Sequence, residues 1–222
     1  FDNKLLEVLR ILLKKSDIDY NYICGHNDLN VFTNICASEI SDEVIEWILI
    51  NQPNIDYNQV SDNSFTPLIY ACDYNNSITA LKLLQVPGIQ IDQVDDQKDT
   101  AFICACKNGM KDVVEKMLTM GVNYNHVDAN GNTGLIVLCE LEYEEIALML
   151  LDQPNINLNH LSSKGYNAYY YACQSKMIKV IDRMISLGID YNHIYPNNYS
   201  SLMMTCYRPE TWACAIRLLD QP

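Results

Sequence analysis

The chain has 222 residues and a formal charge of −13, with 15 Lys and Arg set against 28 Asp and Glu. Affinity for phosphate backbones comes largely from Lys and Arg that displace counterions, so this balance argues against a nucleic-acid partner and for a protein partner with a basic patch. No run of 18 apolar residues occurs, which excludes a membrane-spanning helix.

Read from the N-terminus, one unit recurs. Asn30, Thr66, Thr100, Thr133, Asn167 and Ser200 stand 36, 34, 33, 34 and 33 residues apart, and a cysteine follows each by six: Cys36, Cys72, Cys106, Cys139, Cys173 and Cys206. A second series, Ile18, Ile55, Ile89, Val122, Ile156 and Ile189, marks the end of the unit. A period near 33 predicts a stacked solenoid.

Each first position is Thr, Asn or Ser, whose side-chain oxygen can accept from an orphan amide at a helix start. A helix is predicted to begin there, and Pro67 suits the first helical position after Thr66. After a break such as Lys107-Asn108-Gly109, the run Val113, Val114, Met117, Leu118 forms one apolar helical face. Leu118 is expected in the core and Lys111 on the polar side. This second helix stops at Gly121, at Gly188, at Gln-Pro-Asn (52–54 and 153–155) or at Val86-Pro87-Gly88. An extended segment such as Asp56 to Val60 and a hairpin-like loop then lead to the next helix.

These parts, with Thr66-Pro67-Leu68, Ala71, Asn108-Gly109, Met117-Leu118, Gly121-Val122, Asn125 and Asp128-Ala129-Asn130-Gly131, resemble the ankyrin repeat. The likeness covers nearly the whole chain, although Ile69 and Ile103 stand where the family usually has histidine. It implies a mainly α, ankyrin-type solenoid of stacked helix-turn-helix repeats joined by hairpin-like loops. Residues 1–222 divide into about seven units, 1–29, 30–65, 66–99, 100–132, 133–166, 167–199 and 200–222. The first and last are incomplete, the chain begins with Phe, and a polar end repeat is missing, so a fragment of a longer array is expected. A secretory signal is not seen before the repeats.

Equivalent cysteines in neighbouring repeats would lie beyond disulfide reach, given helix spacings of about 8–10 Å. They are expected to be free, small buried hydrophobes, and Cys104 and Cys106 point different ways on one helix rather than forming a zinc pair. Cys24 and Cys214 fall outside the register and are expected to be exposed. All of this implies a reducing, cytoplasmic setting. His126, His160 and His193 share a register but cannot converge on one metal; the position is read as tolerant of polar residues. One residue further on, Ile23, Val60, Val94, Val127, Leu161 and Ile194 suit a hairpin arm packed between hairpins, or else a hydrophobic contact strip. Tyr20, Tyr57, Tyr124 and Tyr191 recur regularly and are read as structural.

Motifs for phosphate cradles, zincins and nucleophile elbows are absent from the sequence, so neither catalysis nor a cofactor is expected. Acidic clusters such as Asp95-Asp96 with Asp99, and Glu142 with Glu144-Glu145, read as solvated faces. The function expected is a non-catalytic scaffold for protein–protein interaction; the alternative is a targeting or regulatory arm of a larger enzyme or effector. In the resembling family, contacts cluster at hairpin tips and on the exposed, concave face of the first helix. By register these are Asp62, Asn63, Phe65, Asp73 and Tyr74, then Asp96, Gln97, Asp99, Lys107 and Asn108. Asn130, Asn132, Glu140, Lys164, Tyr166, Gln174, Asn197, Tyr199, Tyr207 and Arg208 follow. Phe65, Tyr74, Tyr166 and Tyr199 are the expected anchors, since interface hot spots favour aromatic residues, with Asp62, Asp96 and Asp99 steering a basic patch.

Overall fold

A helix start every 33 or so residues is what the structure shows. The computed structural model describes residues 21, 23–24, 29–36, 42–52, 54–61, 63–207 and 209–219; most of the first predicted unit, Asp62 and Arg208 lie outside them. Among the described residues six helix pairs follow one another: α1 Val31–Cys36 and α2 Asp42–Asn51, α3 Pro67–Asp73 and α4 Ser77–Leu83, α5 Ala101–Lys107 and α6 Lys111–Thr119. They continue with α7 Gly134–Glu140 and α8 Glu144–Leu151, α9 Ala168–Gln174 and α10 Ile178–Ser186, α11 Ser201–Cys206 and α12 Trp212–Leu219. First helices pack on first helices and second on second, giving two layers.

Among the described residues five of the six predicted caps form. Thr66, Thr100 and Thr133 accept the amides of Ile69, Ile103 and Ile136 at 3.2, 3.2 and 3.4 Å. Asn167 and Ser200 do the same for Tyr170 and Met203 at 3.0 and 3.1 Å. Such a cap stabilises a helix by about 1 kcal/mol, which matters for helices of only six or seven residues. Among the second helices, α4 is capped by Asn76. In contrast, α6, α8 and α10 start at Met110, Tyr143 and Met177 without a side-chain cap. Met110 and Met177 are buried there, so packing replaces the missing oxygen.

The core runs along the array between the two layers. Leu68, Phe102, Leu135 and Tyr169, each two residues after a cap, are fully buried, as are Cys36, Cys72, Cys106, Cys139 and Cys173. Burial pushes these five thiols far up from their ordinary range. Three expectations need correction. Cys214 is buried, because the short 3-10 turn Pro209–Thr211 sets α12 one residue late and puts Cys214 where Val113 stands in the α6 unit, whereas Cys206 is exposed; the side chain of Cys24 lies outside the described ones. Met117, not Leu118, is the fully buried residue of α6; Leu118 is half-buried at the edge. Asp95 and Asp99 are buried rather than solvated, while Asp96 is exposed.

Successive units are tied by side-chain rungs. Asn58 donates to the carbonyl of Gly88 at 3.0 Å and accepts the amide of Gln90 at 2.9 Å. Asn125 repeats both bonds with Asn155 and Asn157. The histidines join in: Nε2 of His126 lies 2.7 Å from the Lys98 carbonyl and that of His160 3.0 Å from the Gly131 carbonyl. That role is more specific than mere tolerance of polar residues. Tyr124 also bridges units, donating to the Pro154 carbonyl.

Candidate functional site

The hairpin between units ends in a tight turn whose backbone needs a positive φ two residues before each cap, at Ser64, Lys98, Gly131, Gly165 and Asn198. Only two of these are glycine. The turn is closed by an oxygen within it: Asp95 Oδ1 accepts the amides of Gln97 and Asp99, both at 2.8 Å, and Asp128 Oδ1 accepts those of Asn130 and Asn132 at 2.9 and 2.7 Å. The buried carboxylates therefore shape the tips. Val94, Val127 and Ile194 bridge to Thr100, Thr133 and Ser200 as hairpin arms. Val60, Leu161 and Ile194 are nonetheless exposed, so this series does not pack between hairpins throughout.

Neighbouring tips are joined by backbone bonds, from the Asp96 amide to the Asn63 carbonyl, Ala129 to Gln97 and Ser163 to Asn130, at 3.3, 2.9 and 2.9 Å. Asn63, Gln97 and Asn130 thus keep exposed side chains on a fixed backbone. Asp96 is exposed as well and accepts from the Ser64 hydroxyl at 2.8 Å. Asn108 is engaged differently, donating to the carbonyls of Cys72 and Asp73 at 2.8 and 3.0 Å; it is a tie between units.

The C-terminal ends of the first helices lie beside the tips. Asp99 Oδ2 pairs with Lys107 Nζ at 2.5 Å, while Asp99 Oδ1 is buried without a hydrogen-bond partner among the described residues. Burial raises the Asp99 pKa above the usual carboxylate value, and the Lys107 hydrogen bond and charge only partly oppose it. Burial likewise raises that of Asp73, against the pull of Lys107 and with a push from Asp99. For Lys107 burial acts to lower the pKa, but the Asp99 hydrogen bond and charge outweigh it and the pKa is raised.

One groove collects several of these positions. Its volume is about 320 Å³ and its walls include Lys107, Asn130, Asn132, Glu140 and Lys164. Asp128, Val137 and Leu141 complete it, and these three were not among the expected contact residues. Larger clefts, of about 560 and 370 Å³, open on the opposite side between second helices, at Glu46 and Lys82 and at Leu118 and Met149. The first is crossed by the Lys82–Glu46 pair at 3.2 Å. Their recurrence between consecutive second helices marks them as seams of the stack.

Of the four expected anchors, Tyr74 and Tyr199 are exposed, at 58% and 39%. Phe65 and Tyr166 are half-buried: the Phe65 ring lies 4.9 Å from Tyr70, and Tyr166 stacks on Tyr170 at 4.0 Å. Truncating either would cost folding energy, contrary to the expectation of a freely exposed ring. Tyr207 is 67% exposed and meets Tyr199 edge-on at 6.0 Å. Gln174 donates to the Tyr170 hydroxyl at 3.2 Å, as does Asn197 at 3.4 Å. Tyr170 and Tyr171 were missed as surface residues, although the run Tyr169-Tyr170-Tyr171 departs from Phe102-Ile103-Cys104 and Leu135-Ile136-Val137 in the same register.

A sequence profile for ankyrin repeats matches in three overlapping copies, over residues 33–128, 74–162 and 102–195. The chain therefore belongs to the ankyrin repeat family. Solved structures agree on the fold. An ankyrin repeat domain from Acinetobacter baumannii is similar with a TM-score of 0.73 at 19% identity, covering 86% of this chain and 96% of that one. The ankyrin repeat domain of Bcl-3, described as a unique member of the IkappaB family, has a TM-score of 0.69 at 18% identity and covers 98% and 91%. No curated protein sequence matches the chain. Ankyrin repeat domains generally mediate protein–protein interaction. Among the described residues no helix is long and apolar enough to cross a membrane.

Proposed function

We propose that the chain is a non-catalytic scaffold that binds a protein partner across its hairpin tips and first-helix face. The observation that carries this reading is the exposure of Tyr74, Tyr199 and Tyr207 on that face. Large rings left in water have no folding benefit, and tyrosine is favoured as an interface anchor. The partner is a protein with a basic patch, met by Asp73, Asp96 and Glu140, all exposed. The eight cysteines with described side chains form no disulfide, which fits a reducing, cytoplasmic setting.

The test is to recover binding proteins on the immobilised chain and map them with Tyr74→Ala, Tyr199→Ala and Tyr207→Ala. Each should weaken the complex by more than about 1 kcal/mol with the melting temperature unchanged. A partner that ignores all three changes but dissociates on substitution of exposed residues on the second helices would move the site to the other side of the array.

A further inference from the structure

We propose that Asn130-Gly131, in the tip before α7, is a site of spontaneous deamidation that the closed tip holds shut: when the turn opens, the Gly131 nitrogen displaces ammonia from the Asn130 side chain. Five tips place Asn63, Gln97, Asn130, Lys164 and Asn197 three residues before the helix cap, each followed by the left-handed residue of the turn. Only at Asn130 does glycine follow asparagine; Ser64 and Asn198 follow Asn63 and Asn197. Glycine has no Cβ to shield its nitrogen or to resist rotation of the backbone. Asn130 is also exposed, so water reaches its side chain. Attack of the nitrogen on the side-chain carbonyl carbon expels the amide NH2 as ammonia and closes a cyclic imide. Water then opens the ring at either carbonyl, giving aspartate, or isoaspartate with the backbone routed through the side chain.

The closed tip prevents this by fixing both polar groups of the peptide bond between the two residues. The Gly131 N–H donates to the Asp128 carbonyl at 3.0 Å, and the Asn130 carbonyl accepts from the Ser163 N–H at 2.9 Å. The Asn130 N–H is held as well, by Asp128 Oδ1 at 2.9 Å. Cyclisation turns that peptide plane and removes the Gly131 proton, so the first two bonds must break. The other Asn-Gly pair, Asn108-Gly109, is restrained differently. Its half-buried side chain donates to the Cys72 and Asp73 carbonyls of the preceding unit at 2.8 and 3.0 Å. Reaction there requires two units to separate, a larger opening than that of one tip. The two products at Asn130 also differ in consequence. Aspartate keeps the backbone length and adds a carboxylate to the groove wall that holds Lys107 and Lys164. Isoaspartate adds a carbon to the backbone of a turn whose bonds depend on register, and so releases Ser163.

Incubation at mildly alkaline pH, folded and in urea, followed by peptide mass spectrometry, tests this. In urea both Asn-Gly pairs should deamidate at similar rates, ahead of Asn63 and Asn197. In the folded chain the reaction should be slower by at least about tenfold, with Asn130 before Asn108. Ser163→Pro removes the N–H that holds the Asn130 carbonyl, and Pro196 occupies the same place in the next tip, so the substitution suits the fold. It should speed deamidation of Asn130 by about tenfold and leave Asn108 unchanged. Asp128→Ala should do the same; acceleration at Asn108 as well would reveal general unfolding, and Ser163→Pro then decides. The purified isoaspartyl form should show faster hydrogen exchange at the Ser163 amide, and Asn130→Asp should not. Equal rates at Asn130 folded and in urea, Asn130 no faster than Asn63 in urea, Asn108 leading in the folded chain, or no response to Ser163→Pro overturns the proposal.

Discussion

Asp128 links the tip geometry to the face that carries the groove, and replacing it has a calculable cost. Asp128→Ala removes one oxygen that accepts two amides, Asn130 and Asn132, at 2.9 and 2.7 Å, from a residue only 4% exposed. Each hydrogen bond to a charged group is worth roughly 1.5–3 kcal/mol net. Asn130 is exposed and can turn to water, whereas Asn132 is half-buried, so about one bond's worth should be lost, roughly 2 kcal/mol. Asp128→Asn keeps a neutral acceptor at the same place and should cost about half as much. Because repeat arrays need not unfold in a single step, the site-specific readout is hydrogen exchange. In Asp128→Ala the Asn130 and Asn132 amides should exchange roughly 30-fold faster, as about 2 kcal/mol implies, with a smaller rise in Asp128→Asn. Equal effects from the two variants, or unchanged exchange at both amides, would refute the account of the carboxylate as the closing acceptor.

Met117→Ala should destabilise the array by about 2–5 kcal/mol, since Met117 is fully buried; Leu118→Ala should cost less, and Lys111→Ala about 0.5 kcal/mol or less, as urea titrations would show. Among the described cysteines, thiol labelling of the folded chain should modify Cys206 quickly while Cys36, Cys72, Cys106, Cys139, Cys173 and Cys214 wait for unfolding; rapid labelling of the buried set would contradict the packed core. Burial raises the Asp99 pKa above its unfolded value, so its contribution is fully present below the unfolded pKa and is lost as pH rises through the folded one. The parent should therefore lose stability relative to Asp99→Asn as pH rises above the ordinary Asp value of about 4. A difference that grows in the opposite sense would mean that the Lys107 pair dominates.

The repeat, the caps and the two helices per unit were legible because they depend on local chemistry that recurs: an oxygen at Thr66, Thr100 or Thr133 and a small residue six places on. What the sequence hid depends on the third dimension. A helical stripe cannot say which of Met117 and Leu118 lies at the centre and which at the rim. The tight turns within the hairpin-like loops were hidden because five left-handed residues share a register in which only Gly131 and Gly165 announce themselves. At Gly131 a Cβ would also meet the Ser163 amide nitrogen at 2.6 Å, so close approach of the next tip reinforces the requirement. The carboxylates of Asp95 and Asp99 looked solvated because nothing in the sequence marks the amides that they or their neighbours engage. For the candidate site, family register placed Lys107, Asn130, Asn132, Glu140 and Lys164 around one groove, but it was blind to Val137 and Leu141, which complete the wall from the helix between them.

The two ends of the surface are built on different physics. From Asn63 to Ser163 the tips are chained through backbone amides, so exposed side chains can change without loosening the chain of bonds. The next tip begins with Pro196, which has no amide hydrogen to give, and the closing position is taken by Tyr195 in place of an aspartate. Its hydroxyl donates to Asn167 Oδ1 at 2.7 Å and lies 3.0 Å from Ser201 Oγ. Its ring meets Tyr170 at 5.0 Å and Tyr166 at 5.9 Å. Packing thus replaces the backbone link at the point where the aromatic end of the face begins. The rings of Tyr166 and Tyr170 are consequently part of the support as well as of the surface. A partner that spans both ends meets polar tips on a fixed backbone at one and packed rings at the other.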